Sequence, residues 1–108
     1  MSPVLKVVQP VGILDGTQVN HLRQEINDAV TAGTDIVLID LENVTFMDSS
    51  GLGALVIALK TIRTAGGKLF LCSINDQVKM LFQLTSMDRV FEVFPSRAEF
   101  NQAVLLPN

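Results

Sequence analysis

The residues best suited to chemistry lie together in one short stretch, Phe-Met-Asp-Ser-Ser-Gly-Leu-Gly-Ala-Leu at positions 46–55. One acid, Asp48, directly precedes two hydroxyls, Ser49 and Ser50. A serine at the start of a helix can accept a hydrogen bond from an unpaired backbone N–H and so cap that helix. It can also carry a phosphate, whose charge the helix N-terminus stabilises. The stretch therefore supports two interpretations, a helix cap at Ser49 or Ser50 and a phosphate acceptor.

Catalysis by one of these serines lacks a general base. A serine nucleophile needs a base within hydrogen-bond reach, and the only histidine, His21, is predicted on the polar side of an earlier helix. An ordinary exposed carboxylate such as Asp48 is a poor base near neutral pH. The Gly-x-Ser-x-Gly pattern of a nucleophile elbow is also absent. We therefore expect no catalytic residues and no enzymatic activity.

The glycines of the same stretch do not match a known nucleotide loop. Gly51-Leu52-Gly53 lacks the third glycine of a dinucleotide fingerprint and the Gly-Lys-Ser/Thr of a triphosphate-binding loop. Close approach of a helix to the sheet is the plainer explanation. One histidine and one cysteine far apart in sequence supply no metal-ligand pattern, and Cys72 closes an apolar strand as a predicted core residue. We expect neither a cofactor nor a metal site.

The elements that must position this stretch are a strand before it and a helix after it. The run Ile36-Val37-Leu38-Ile39 is apolar, rich in β-branched residues and too short for a helix, so it predicts a strand over 36–40 that is covered on both faces. Asp40, at its end, is expected to bond N–H groups of the next loop. Apolar residues then recur at helical spacing, which predicts a helix over 50–65. The intervening residues 41–47 are predicted as a loop.

The rest of the chain alternates strands with helices. Further strands are predicted over 4–11, 69–72 and 90–94, and further helices over 18–31, 76–85 and 96–105. Residues 12–16 are predicted as a turn, with Asp15 and Thr17 as candidate caps for the helix that follows. Ser73 and Ser96 each precede an acid by three residues, which is the spacing of a capping box.

This order of elements predicts an α/β fold. A strand, a helix and another strand in succession form a βαβ unit, whose strands are parallel. We expect a single domain over 1–108, with about four strands in a mostly parallel sheet and four helices. In a chain this short, we expect part of one sheet face to be left for a partner.

Composition limits the partners of this domain. The net charge of −3 and the scattering of the eight Lys and Arg residues argue against a nucleic-acid partner. No apolar run approaches the length of about 20 residues that crosses a membrane, and the N-terminus shows no secretion signal. A single cysteine suits a reducing compartment. We therefore expect a cytoplasmic protein that works with neither nucleic acid nor membrane.

The stretch from Phe46 to Gly53 resembles the signature of the STAS domain family, in particular the bacterial anti-sigma factor antagonists. The similarity extends over nearly the whole chain. The further matching segments are Gly12–Asp15, Val37–Leu41, Gly66–Gly67, Leu69–Leu71, Leu84–Thr85, Met87–Asp88 and Val90–Phe91. They cover the turn before the first helix, the strand before the signature, the helix–strand junction after it and the approach to the last strand.

The resemblance implies a partner-switching mechanism that regulates transcription. In the family, an anti-sigma factor that is also a serine kinase phosphorylates the first hydroxyl after the aspartate, which is Ser49 here. The unphosphorylated antagonist binds this kinase and frees its target, and a metal-dependent serine phosphatase resets the antagonist. We expect Met47 or Leu52 to be exposed at the contact surface. The implied neighbourhood of the acceptor is Asp48, Ser50, Gly51, Leu52, Gly53, Met47 and Asp15.

Two further expectations accompany the resemblance. Family members commonly carry another strand before the segment that matches residues 4–11, so we expect a sheet that lacks this usual first strand. The open edge would invite a homodimer through strand pairing. The alternative function is that of an STAS-type module in a signalling complex. Such a module would act as a scaffold, or bind an anion or nucleotide at the start of the same helix, without phosphorylation.

Overall fold

The computed structural model describes residues 3–106 of the chain. The strands are β1 (Leu5–Val8), β2 (Gly12–Leu14), β3 (Ile36–Asp40), β4 (Val44–Met47), β5 (Lys68–Cys72) and β6 (Val93–Phe94). The helices are α1 (Val19–Thr31), α2 (Ser49–Thr64), α3 (Asp76–Leu84) and α4 (Arg97–Phe100), and a π-helical turn over Asn101–Leu105 extends α4. No helix in this range combines the length and the apolar character needed to cross a membrane.

Within residues 3–106, the main sheet has four parallel strands in the order β1-β3-β5-β6. Val8 of β1 pairs with Ile39 of β3, and Asp40 of β3 pairs with Cys72 of β5. All five residues of β3 are buried, as expected for a central strand covered on both faces. The predicted fold class, an α/β domain with a mostly parallel sheet, is confirmed.

A second, two-stranded parallel sheet joins β2 to β4. The predictions of a turn over 12–16 and a loop over 41–47 are therefore wrong at these strands. Both strands are short: β2 buries only Leu14, and β4 buries Val44 and Met47. So few residues give no clear period-two pattern in the sequence. The pairing brings the segment before α1 beside the segment before α2.

The helices lie in two layers on opposite faces of the main sheet. Residues of α1, α2 and α3 pack with Val37 and Ile39 of β3 in the larger core cluster. Leu38 and Phe70 pack with Phe100 of α4 in a smaller cluster. Successive residues of β3 thus serve different cores, because side chains alternate across a strand.

Two capping predictions had opposite outcomes. Ser96 caps α4 by accepting a hydrogen bond of 3.3 Å from the Glu99 N–H, which confirms the cap predicted at Ser96. The capping box assigned to Ser73 is wrong, because Asn75 caps α3 by accepting from the Val78 N–H at 2.9 Å. Asn75 is itself a favourable cap residue, so the error lies in choosing between neighbouring candidates.

The last strand is shorter than predicted. The N–H groups of Val90 and Phe91 both bond to the carbonyl of Met87, which holds them in a turn and not in the predicted strand over 90–94. Strand β6 therefore begins late, and its pairing with β5 starts only at Leu71. The first residues of β5 are left without a strand neighbour on that side.

Candidate phosphoacceptor site

Asp48, and not a serine, caps α2. Its backbone is extended (φ −105°, ψ −175°), and its carboxylate Oδ1 accepts a hydrogen bond of 2.9 Å from the Gly51 N–H. An acid is favourable at this position because it meets the positive end of the helix dipole. The interpretation of Ser49 or Ser50 as the helix cap is therefore wrong.

The cap at Asp48 leaves both serine hydroxyls unused. Ser49 and Ser50 are exposed in the first turn of α2, and no hydrogen bond within residues 3–106 involves either side chain. The N–H groups of a first helical turn have no intrahelical partners, so they can stabilise an anion nearby. The first turn of α2 can therefore stabilise an anion while Asp48 keeps the cap.

The turn before α1 borders the site. Asp15 caps the 3-10 turn Gly16–Gln18, as its carboxylate accepts from the Thr17 hydroxyl and, at 2.9 Å, from the Thr17 N–H. These two bonds stabilise the ionised form and lower the pKa of Asp15 below its ordinary value. A Cβ added to Gly16 would lie 3.9 Å from the Ser50 Cβ. The turn and the start of α2 therefore form one continuous surface.

The two glycines after the serines have different roles. A Cβ on the buried Gly51 would lie 2.8 Å from the Leu14 carbonyl carbon and would clash with its oxygen. Glycine thus permits the close approach of α2 to β2, and Gly51 serves internal packing and not the approach of a partner. A Cβ on the half-buried Gly53 would meet no atom within 4 Å. Of these two glycines, only Gly53 has open space beside it.

Met47 and Leu52 do not reach the surface. Met47 has no exposed area and Leu52 is 6% exposed, so the expectation that one of them is exposed at the contact surface is wrong. The exposed apolar side chains nearby are Ile13 and Phe46, at 53% and 46%. They are register partners in the small sheet, with their neighbours Leu14 and Met47 pointing inward.

Two amide side chains fasten the strand that leads into the site. Gln77 accepts from the Met47 N–H at 2.9 Å and donates to the Met47 carbonyl at 2.8 Å. Asn75 donates to the carbonyls of Val44 and Thr45 at 3.2 and 3.1 Å. Neither residue was predicted from the sequence to support the site. Asn75 stands at a recognisable cap position, whereas a glutamine early in a helix carries no signal of a long-range contact.

The remaining candidates have structural roles. His21 is exposed on α1, and its Nε2 lies 3.5 Å from a carboxylate one turn away. Cys72 is buried as predicted, and this burial raises the pKa of its thiol. Asp40 accepts from the Gln9 amide and from the Glu42 N–H, both at 3.0 Å, which confirms its expected role in the following loop. Across the described residues, no three His, Cys, Asp or Glu side chains cluster as metal ligands would.

Fold and site together define a small α/β domain that presents an unused hydroxyl at the start of a helix. The family profile of the STAS domain matches residues 2–100. The chain therefore belongs to the STAS domain family. A relative from Staphylococcus aureus, named anti-sigma-B factor antagonist, is 32% identical over 82 residues, which cover 76% of each chain.

Solved structures share this fold. An anti-sigma factor antagonist from Mycobacterium paratuberculosis has a TM-score of 0.81 at 25% identity, over 93% of this chain and 85% of that one. The phosphorylated form of SpoIIAA, a Bacillus cell fate determinant, has a TM-score of 0.70 at 20% identity, over 95% and 94%. The second likeness concerns the fold alone. The chain is thus an STAS domain of the anti-sigma factor antagonist type, and these relatives are named as regulators.

Proposed function

We propose that this protein is a phosphorylatable anti-sigma factor antagonist whose phosphoacceptor is Ser49. The unphosphorylated form binds an anti-sigma factor serine kinase in the cytoplasm and releases the target of that kinase. Phosphorylation of Ser49 blocks this binding, and a metal-dependent serine phosphatase restores it. One observation carries the proposal: Asp48 holds the cap of α2, so the exposed hydroxyl of Ser49 remains available.

Phosphorylation at Ser49 suits the local structure. A phosphate adds a charge of about −1.5 to −2 and three strong acceptor oxygens. The charge would lie at the N-terminal end of α2, where the helix dipole stabilises it. The modified hydroxyl would give up no hydrogen bond within residues 3–106, since it makes none there. We therefore expect the switch to act at a partner surface and not through unfolding.

The surface around Ser49 combines apolar contact area with negative charge. Ile13 and Phe46 are exposed apolar side chains, while Asp48 and Asp15 supply carboxylates in and beside the first turn of α2. A phosphate among these acids raises the repulsion and the desolvation cost that a docking partner must overcome. A loss of about 3 kcal/mol would lower the affinity roughly a hundredfold.

Three variants test the proposal with an anti-sigma factor kinase from the same organism. Ser49→Ala should abolish phosphate transfer from ATP and keep kinase binding. Ser49→Asp should weaken binding by about tenfold or more, while its circular dichroism spectrum stays that of the wild type. Ser50→Ala is the matched control, because Ser50 is the adjacent exposed hydroxyl, and it should be phosphorylated and bind normally. Phosphorylation of Ser49→Ala at the wild-type rate, or unfolding of Ser49→Asp, would contradict the proposal.

The alternative is a module that scaffolds a signalling complex or binds an anion or nucleotide at the start of α2 without phosphorylation. The exposed first turn favours it too, because unpaired N–H groups attract anions. Labelled ATP separates the two functions. Covalent transfer of the label to the wild type, and not to Ser49→Ala, supports phosphorylation, whereas reversible binding without transfer supports the module.

A homodimer through β1 belongs to the same proposal. Within residues 3–106, β1 is an edge strand whose sole neighbour is β3, and Leu5 is 36% exposed there. Exposed edges tend to pair with other strands. Light scattering at the concentrations of the binding assay should give the mass of two chains, and the mass of one chain would count against the dimer.

A further inference from the structure

An open groove lies at the other end of α2 from Ser49. Its volume is about 560 Å³, within the range of small-molecule sites. The lining comes from the last turn of α2, the start of β5 and the turn before β6, and it includes Arg63, Lys68, Leu69, Arg89, Val90 and Glu92. Arg63 lies about 20 Å further along the helix axis than Ser49, at 1.5 Å per residue. The groove is therefore separate from the phosphoacceptor.

Positive charge is concentrated in this groove. Arg63, Lys68 and Arg89 are three of the eight Lys and Arg residues of the chain, whereas Glu92 is the one acid in the lining. All three cations are exposed, and none forms an ion pair with an acid among residues 3–106. Like charges gathered without partners repel one another. In a chain of net charge −3, this arrangement favours an anionic ligand.

The uncovered edge of β5 adds a backbone donor. N–H groups of successive strand residues point to opposite neighbours: that of Lys68 bonds to the Asp35 carbonyl on the β3 side, and that of Leu71 bonds to the Glu92 carbonyl on the β6 side. The Leu69 N–H therefore points to the β6 side, but pairing with β6 begins only at Leu71. Because β6 supplies no partner there, this N–H is a donor at the floor of the groove.

Two of the last carbonyls of α2 already accept hydrogen bonds from the chain. The Gly66 N–H bonds to the Arg63 carbonyl and the Gly67 N–H bonds to the Ile62 carbonyl, each at 2.9 Å. This closure is the usual way in which a glycine-ended helix satisfies its last carbonyls. The three cations of the groove therefore outweigh Glu92 and the partial negative charge, about −0.5, at the end of the helix.

From these features we propose that the groove binds a phosphorylated small molecule. The guanidinium groups of Arg63 and Arg89 can each hold two phosphate oxygens, and Lys68 adds a third cation. The Leu69 N–H supplies the backbone donor. Val90, 37% exposed, offers apolar contact to the carbon part of the ligand. The ligand is therefore an organic phosphate held by charge and hydrogen bonds, at a surface that the Ser49 switch does not use.

Titration of ¹⁵N-labelled protein with inorganic phosphate, pyrophosphate and adenosine 5′-monophosphate, at constant ionic strength, tests the proposal. We expect saturable shifts of the Leu69 amide, with tighter binding of the organic phosphate than of inorganic phosphate. A double variant, Arg63→Gln with Arg89→Gln, should weaken binding at least about tenfold. Ser49→Ala should bind as the wild type does, so this test stands apart from that of the phosphoacceptor.

The matched control is a double variant, Arg23→Gln with Lys79→Gln, which removes the same charge from exposed positions outside the groove. Binding that survives in the control and falls in the groove variant supports the site. An equal loss of affinity in both variants would show that binding depends only on the net charge of the protein, which would overturn the proposal. Shifts confined to the first turn of α2, no binding of the three phosphates, or binding of an acidic peptide in their place would overturn it as well.

Discussion

Asp48, Ser49 and Ser50 have different roles at the start of α2. Asp48 supplies the side-chain oxygen that the helix needs, through its bond to the Gly51 N–H. Ser49 and Ser50 therefore do not have to cap the helix, although serine is also a good cap residue. Had Ser49 held the cap, a phosphate would have altered a bond on which the helix depends. With Asp48 in that role, the proposed phosphate would change the charge of the surface and leave the Asp48 cap of α2 in place.

The two signature glycines give a matched pair of variants. Gly51→Ala should destabilise the protein by about 1–3 kcal/mol, because its Cβ would clash with the backbone of Leu14. Gly53→Ala should stabilise it by roughly 0.5–1 kcal/mol, because its Cβ enters open space within the helix. Urea denaturation measures both free energies of unfolding. Equal stability of the two variants would show that α2 can shift away from β2 without cost.

Among the elements, β4 is unusual because side chains and not a third strand close its outer edge. Gln77→Ala removes both bonds to the Met47 backbone. The free energy of unfolding should therefore fall by about 1–3 kcal/mol. Amide hydrogen exchange at Met47 should also accelerate more than at Leu38 in the central strand. Gln83→Ala is the control, since it removes the same side chain from an exposed position on α3. An unchanged exchange rate at Met47 would show that β4 does not depend on α3.

The sequence predicts well those strands and helices whose formation depends on their own residues. The apolar run of β3 was located with its observed bounds, and α2 was located to within one residue at each end. Strands β2 and β4 were not predicted because residues distant in the sequence hold them. Ile13 pairs with Phe46, and Gln77 bonds to the outer edge of β4. The motif located the candidate site, but an acid and two serines in a row are all competent caps. Only the fold shows which of them bonds to the helix.

Across the whole molecule, the two faces of the main sheet are covered unequally. Three helices cover the larger core, whereas α4 and the turn after it cover the smaller one. Asp40 ties this thinner layer to the sheet. Its buried carboxylate accepts from Gln9, just after β1, and from the Glu42 N–H, and it lies 4.0 Å from Arg97 of α4. One side chain thus links the edge strand, the centre of the sheet and the last helix.

Removal of the Asp40 carboxylate should therefore loosen several elements together. Asp40→Ala should lower the free energy of unfolding by about 2–3 kcal/mol, because it leaves part-buried donors unpaired, and each kcal/mol lowers the melting temperature by about 4–8 °C. Asp40→Asn keeps an acceptor for the Glu42 N–H and should lose less. Asp28→Ala, at an exposed position on α1, should stay within about 0.5 kcal/mol of the wild type. If thermal denaturation gives Asp40→Ala the same melting temperature as Asp28→Ala, apolar packing alone holds α4 against the sheet.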